Sequence, residues 1–263
     1  MPAMMPDGPE PGTTRPSTGL CAVVLTAGEG ARLRPLTRVL PKPLCPVGGT
    51  PLIDHALGRA RSATGAVAVN LHHGRAAIEA HLDGRVHMSI EEREPLGTAG
   101  ALGRLRTWID GRGTLVLNGD TWCPGSLAEF LAGWDGVRVR LLLAGNDRLR
   151  PSSPIAAALM PWLEVACLEP APSGLYESSW GVLAAAGRID TVRWDGPCLD
   201  CGTPARYLAA NMAASGGEPV VGDGARVDGQ LTRSVVWAGT SVLPGERLVD
   251  AVRASDDVTV LVR

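Results

Sequence analysis

Among the side chains able to do chemistry, one ammonium group stands apart. Lys42 is the only lysine of the 263 residues, and the other 24 of the 25 basic positions are arginine. A composition that favours arginine has not replaced it. A compact point charge is therefore required there, as when one cation must reach between phosphate groups. Pro41 and Pro43 stiffen the backbone on either side of it. Upstream, the apolar run Cys21-Ala22-Val23-Val24-Leu25 ends in Thr-Ala-Gly, which reads as a buried parallel strand followed at once by a turn. Gly28 and Gly30 bring backbone angles closed to other residues and room for a ligand, so that peptide N–H groups between them point at phosphate oxygens. Arg32 adds a fork of donors. Farther along, Leu115-Val116-Leu117-Asn118-Gly119-Asp120 is an apolar strand ending in a carboxylate. On periodicity alone, Asp120 reads equally as a ligand at the sheet's carboxyl edge and as the cap of a following helix.

The strand, the Gly-x-Gly-x-Arg-Leu-x-Pro-Leu-Thr turn, Pro-Lys-Pro-Leu and Gly48-Gly49-Thr50-Pro51 together resemble the signature of the sugar-phosphate nucleotidyltransferases. Mannose-1-phosphate guanylyltransferases and N-acetylmuramate-1-phosphate uridylyltransferases are the nearest in pattern. Ala31 stands where these families commonly have threonine, which removes one hydroxyl from the phosphate cradle. A dinucleotide-binding motif is the rival reading. It fails because Leu33 replaces the third glycine and no acidic residue ends a second strand about 20 residues later.

The resemblance implies a nucleotide site of Ala27, Gly28, Glu29, Gly30, Arg32 and Lys42, with Arg32, Lys42 and Asp120 catalytic. It implies Mg²⁺ held by Asp120 and by Asp200 of the Asp-x-Gly-Thr-Pro segment. It makes Pro95-Leu96-Gly97-Thr98-Ala99-Gly100-Ala101-Leu102 the nucleobase wall, with Glu92, Gly97 and Thr98 in contact, although Thr98 alone reads as a helix cap. The Glu92 carboxylate matches two guanine donors but one of uracil, a slight preference for GTP over UTP. The family's Glu-Lys-Pro element, whose lysine meets the sugar phosphate, corresponds here to Cys167-Leu168-Glu169-Pro170. Arg148, Arg150, Arg188 and Arg193 are the candidates to restore that charge. Trp122 reads equally as an acceptor contact and as core.

The elements that position these residues alternate. Leu52–Ala63 and Ala76–Leu82 have helical periodicity, and strands are expected over 66–71, 86–91 and 137–144, then a helix from Pro204 capped by Thr203. This predicts a doubly wound, Rossmann-like parallel sheet with the first strand central and ligands beyond the strand carboxyl ends. After Gly216-Gly217, valines and leucines recur at six residues or near multiples, with glycines at corners. That is the signal of a short left-handed parallel β-helix, which such guanylyltransferases often carry. The expected organisation is a leader over 1–18, a catalytic domain over 19–215 and an appendage over 216–263. Two coils cannot bury both ends, so the appendage must pack on the main domain or on a second subunit in a homodimer.

A formal charge of −2 and scattered arginines give no footprint for nucleic acid, and no apolar stretch is long enough to span a membrane. Six cysteines in mostly apolar contexts point to reduced thiols and a cytoplasmic protein. Cys198-x-x-Cys201 lacks a second pair at zinc spacing, so neither a metal nor a redox reading is preferred. The implied reaction is attack by a sugar 1-phosphate oxygen on the α-phosphorus of a nucleoside triphosphate, displacing pyrophosphate. The competing readings are a nucleotide-binding regulatory paralogue without transferase activity, and the same chemistry on a cyclitol or heptose phosphate.

Overall fold

The computed structural model describes residues 19–145 and 148–262. The leader expected over 1–18 lies outside them. The first strand, β1 (Leu20–Leu25), has Cys21 to Val24 fully buried. A small antiparallel pair follows, β2 (Pro46–Val47) and β3 (Thr50–Pro51), then α1 (Leu52–Ala63), β4 (Val67–Leu71), α2 (Arg75–Leu82) and β5 (His87–Ile90). Next come α3 (Gly97–Ile109), β6 (Gly113–Asn118), β7 (Thr121–Trp122), α4 (Ala128–Leu131), β8 (Val139–Ala144), β9 (Ile155–Met160), α5 (Trp162–Ala166) and α6 (Gly181–Ala185). Then come β10 (Ile189–Trp194), β11 (Leu199–Asp200) and α7 (Pro204–Ala214).

Seven strands form one sheet in the order β10-β8-β9-β6-β1-β4-β5. Strand β1 lies inside it, parallel to β4 and β6, as expected. The sheet is mixed, however, which corrects the expected parallel one: β9 runs antiparallel to both β6 and β8. The connection from Ala144 to Ile155 is too short for a crossover helix, and a strand that returns without one must reverse direction. Side chains of β1 alternate between two cores. Ala22 and Val24 face α1 and α2 with Ile53, Leu57 and Ile78, whereas Cys21 and Val23 face α3 with Leu102, Leu105 and Ile109. Period-two alternation thus covers both sheet faces.

Beyond α7 there are several short strands: β12 (Val220–Val221), β13 (Arg226–Val227), β14 (Gln230–Thr232), β15 (Val235–Val236), β16 (Ser241–Val242), β17 (Arg247–Val249), β18 (Ala251–Ser255) and β19 (Val258–Leu261). Parallel ladders pair β12 with β15, β15 with β18, β13 with β16 and β14 with β17, and β19 closes antiparallel on β18. Val236, Val242, Leu248 and Ala251 fill the space between them. A third core joins these strands to the rest: Val235, Trp237 and Val252 pack with Leu33, Cys45, Trp122, Cys201 and Tyr207. The Trp237 indole donates to the Tyr207 hydroxyl at 2.9 Å, and that hydroxyl donates to the Pro46 carbonyl. Packing on the rest of the chain is thus present.

Candidate active site

Three stretches far apart in sequence converge beyond the carboxyl ends of β1 and β6. The chain leaves β1 at Leu25 and turns at Gly30, whose φ is +68° and whose missing Cβ would lie 2.9 Å from the Lys42 Cβ. Gly30 is thus fixed by conformation and by space. Gly28 differs from expectation, because its φ is not in the left-handed range and a Cβ there would meet nothing within 4 Å. Its smallness keeps open a cavity of about 240 Å³ bordered by Thr26, Gly30, Ala31, Arg32, Lys42 and Asp120.

Lys42 opens a short 3-10 turn between its two prolines and is 6% exposed. Its Nζ donates to Asp120 Oδ2 at 2.6 Å and to Asp200 Oδ1 at 3.0 Å. Burial opposes the ammonium's charge, but the carboxylates of Asp120 and then Asp200 outweigh it and raise the lysine above its ordinary value of 10.5. Two glycines allow the aspartates to come this close. A Cβ on Gly119 would sit 2.5 Å from Thr26 Cγ2, and one on Gly202 would sit 3.0 Å from both Asp200 carboxylate oxygens. Asp120 and Asp200 approach through the antiparallel ribbon β7–β11, where Cys201 N–H donates to the Asp120 carbonyl at 3.1 Å. Asp120 lies in the turn between β6 and β7, and the element that follows it is a strand, so it caps no helix.

Two arginines flank Asp200: Arg206 Nη1 donates to Oδ2 at 3.4 Å, and Arg32 Nη2 stands 3.9 Å from it. Arg206 was missed in the sequence. Its signal is a positive side chain in the first turn of α7, where the helix dipole disfavours one. Thr203 caps that helix as predicted, accepting from Arg206 N–H at 3.3 Å. Arg206, Arg32, Ser152, Ser153 and Asn118 border a groove of about 360 Å³ beside Asp120 and Asp200. Of the four arginines proposed for the missing charge, Arg188 faces Glu164 at 3.7 Å and Arg193 faces Asp195 at 2.5 Å. Trp122 is 6% exposed in the third core, which decides its two readings for packing.

The expected nucleobase wall is arranged differently. Glu92 is exposed and borders, with Glu94 and Arg104, a cavity separate from the one lined by Gly28, Gly30 and Lys42. The inward carboxylate is its neighbour, Glu91, which is 2% exposed and accepts from Asn70 Nδ2 and from Leu96 N–H, both at 2.8 Å. Asn70 Oδ1 in turn accepts from Thr26 N–H at 2.8 Å, so a buried polar chain ties the turn after β1 to the start of α3. Gly97 takes φ +69°, and a Cβ there would lie 2.5 Å from the Ser173 carbonyl. Thr98 does not cap α3; its hydroxyl accepts from Leu175 N–H at 2.8 Å and borders a cavity of about 280 Å³ with Leu25, Asn118 and Glu177. The Ala27 carbonyl faces His73 Nδ1 at 3.1 Å, and the Glu29 carboxylate is held by Arg34.

A model of the nucleotidyl transferase family matches residues 21–135. Mannose-1-phosphate guanylyltransferase of Mycobacterium tuberculosis is 30% identical over 88% of this chain and 79% of its own length. N-acetylmuramate alpha-1-phosphate uridylyltransferase of Caulobacter vibrioides is 30% identical over 72% of this chain and 94% of its own. The chain belongs to the nucleotidyl transferase family. A crystal structure from Thermus thermophilus, described as a mannose-1-phosphate geranyltransferase, shares the fold with a TM-score of 0.66 at 17% identity, covering 93% of this chain and 95% of that one.

Among the described residues, no group of three or more His, Cys, Asp or Glu side chains converges as a metal cluster. A nucleotidyl transferase site with two carboxylates still suits a hard divalent ion whose other ligands are phosphate oxygens and water. Asp120 engages Lys42 through Oδ2, while its Oδ1 meets only a long 3.3 Å contact from Thr121 Oγ1.

Proposed function

We propose that this nucleotidyl transferase moves a nucleoside monophosphate from a nucleoside triphosphate to a sugar 1-phosphate and releases pyrophosphate. The observation that carries the reading is the Lys42 ammonium held between Asp120 and Asp200 at the mouth of the glycine-lined cavity. The nucleophile is already an anion, so no general base is needed, and alignment and charge neutralisation suffice. Peptide groups of 27–30 and Arg32 bind the β- and γ-phosphates. Lys42 stabilises charge that develops around the α-phosphate. Asp120 and Asp200 would hold Mg²⁺, which when bound lowers repulsion between the two reacting anions. Arg206 takes the acceptor phosphate in the groove beside Asp200, in place of the absent Glu-Lys-Pro lysine.

GTP is expected ahead of UTP because the guanylyltransferase matches 88% of this chain and the uridylyltransferase 72%, both at 30% identity; Glu92 is exposed beside a cavity separate from the one at Lys42. We read the C-terminal strands as a left-handed β-helix appendage to a catalytic domain over 19–215. Leu243 and Leu261, about 60% exposed on it, suit a homodimer contact. Six unbonded thiols suit a cytoplasmic setting, and no helix among the described residues is long and apolar enough to cross a membrane.

The test is a matrix of nucleoside triphosphates against hexose, amino-sugar, heptose and cyclitol phosphates with Mg²⁺, read by product mass and pyrophosphate release. Transfer with at least one pair is expected. Nucleotide binding without pyrophosphate release from any acceptor would favour the regulatory reading, which the missing lysine supports.

A further inference from the structure

Cys198 and Cys201 do not face each other. Three residues apart on an extended segment, their side chains leave opposite faces of the β7–β11 ribbon. Cys201 joins Cys45 in the third core, and Cys198 packs with Cys123 against the α1 face of the sheet. The ribbon pairs Leu199 with Trp122 and Asp200 with Thr121, so its next step sets Cys198 opposite Cys123. The bond from Cys201 N–H to the Asp120 carbonyl makes that pair a hydrogen-bonded one. Counting back by alternation, Cys198 and Cys123 occupy a non-hydrogen-bonded pair, where Cα atoms stand about 4.5 Å apart and side chains are closest. That separation lies within the range of about 4.4–6.8 Å that a disulfide spans. Cys123 is 2% exposed, whereas Cys198 is partly exposed and reaches the groove beside Asp200.

We propose that Cys123 and Cys198 form a reversible disulfide, made by exchange with a low-molecular-weight disulfide, that lowers turnover by pulling on the ribbon carrying Asp200. In the balanced step both protein S–H bonds and the small molecule's S–S bond break. One protein S–S bond forms, and two small thiols leave with the two protons and two electrons. Exchange begins at Cys198 because it is the reachable sulfur, although its thiol is held above the ordinary value, and Cys123, whose thiol is held below it, resolves the mixed disulfide. An S–S bond of about 2.05 Å is far shorter than a contact between thiols, so closure draws one end of β11 toward the sheet. Asp200 lies two residues away, and in a site built on alignment a displacement of about 1 Å can cost up to about 10²-fold in rate. The effect on turnover rests on the transferase reading; the bond itself does not.

The test uses the full chain with Cys167→Ala, which removes the exposed thiol among the six. Reduced protein is treated with glutathione disulfide, alkylated, digested and mapped by mass. The expected result is a single bond between 123 and 198, with residues 21, 45 and 201 alkylated. Pyrophosphate release should fall about tenfold and recover with reductant. Adding Cys123→Ser should leave a stable glutathione adduct on Cys198, and adding Cys198→Ala should leave the rate insensitive to the oxidant. An adduct that persists at Cys198 while Cys123 is present, a bond mapped elsewhere, or a bonded protein that turns over as fast as the dithiol form would overturn the proposal. If reduced protein transfers nothing, the transferase reading fails by itself, and the mapped bond still decides the pairing.

Discussion

Glycines serve opposite purposes on the two sides of the crevice. Around the cavity at Lys42, Gly28 leaves open space and Gly202 leaves room for a carboxylate. Along α3, Gly97, Gly100 and Gly103 leave room for the protein's own backbone: added Cβ atoms would sit 2.5, 2.2 and 2.5 Å from the carbonyls of Ser173, Ala171 and Glu169. Ser173 also exchanges backbone hydrogen bonds of 3.0 Å with Leu96 and Ala99. A glycine-rich motif therefore marks close approach, and only the packing tells whether the approaching group is ligand or chain.

Replacement of charge on the first side should have the largest effect. Asp120→Asn is expected to lower kcat by about 10²–10³, or ~3–4 kcal/mol of barrier, with the fold intact by circular dichroism. A folded variant with a near-normal rate would remove Asp120 from the chemistry. Next in size, Gly100→Ala should cost about 1–3 kcal/mol of stability in denaturant unfolding, because backbone cannot yield as a flexible side chain does. Gly28→Ala should leave stability unchanged and raise the KM for nucleotide. The opposite pattern would erase the distinction between the two glycine sets.

Arg206→Ala should raise the KM for sugar phosphate about tenfold and spare the KM for nucleotide, the change expected for one charged hydrogen bond. An equal rise in both would move Arg206 out of the acceptor groove. The smallest effect concerns pH. The Lys42 value is raised, so its contribution to stability is complete below the ordinary 10.5 and is lost only as pH rises through a still higher folded value. Unfolding midpoints between about pH 6 and 9 should show no loss assignable to Lys42, and Lys42→Met should leave the pH profile in that range unchanged in shape.

The Lys42 side was legible because its main features announce local constraints: an apolar strand, a left-handed Gly30, and a lysine kept in an arginine-rich chain. The α3 side was not, because its partner, 169–175, contacts it through main-chain atoms that any sequence supplies. Glu91 and Glu92 differ only in which way a side chain turns at a strand end, and a run of acidic residues conceals that parity. Strand β9 was invisible for a related reason, since Ile155–Met160 is apolar without alternation, and nothing in it states direction. Arg206 broke a local rule of helix composition, and such breaches are where site residues were to be sought.

The shared packing of Tyr207, Trp237 and the Pro46 hairpin has a calorimetric consequence. Because the last strands and the phosphate turn lean on the same aromatic pair, neither can melt while the other keeps its neighbours. The heat-capacity trace should show one endotherm, and a chain cut at residue 216 should lose nucleotide affinity although no ligand-facing group has been deleted.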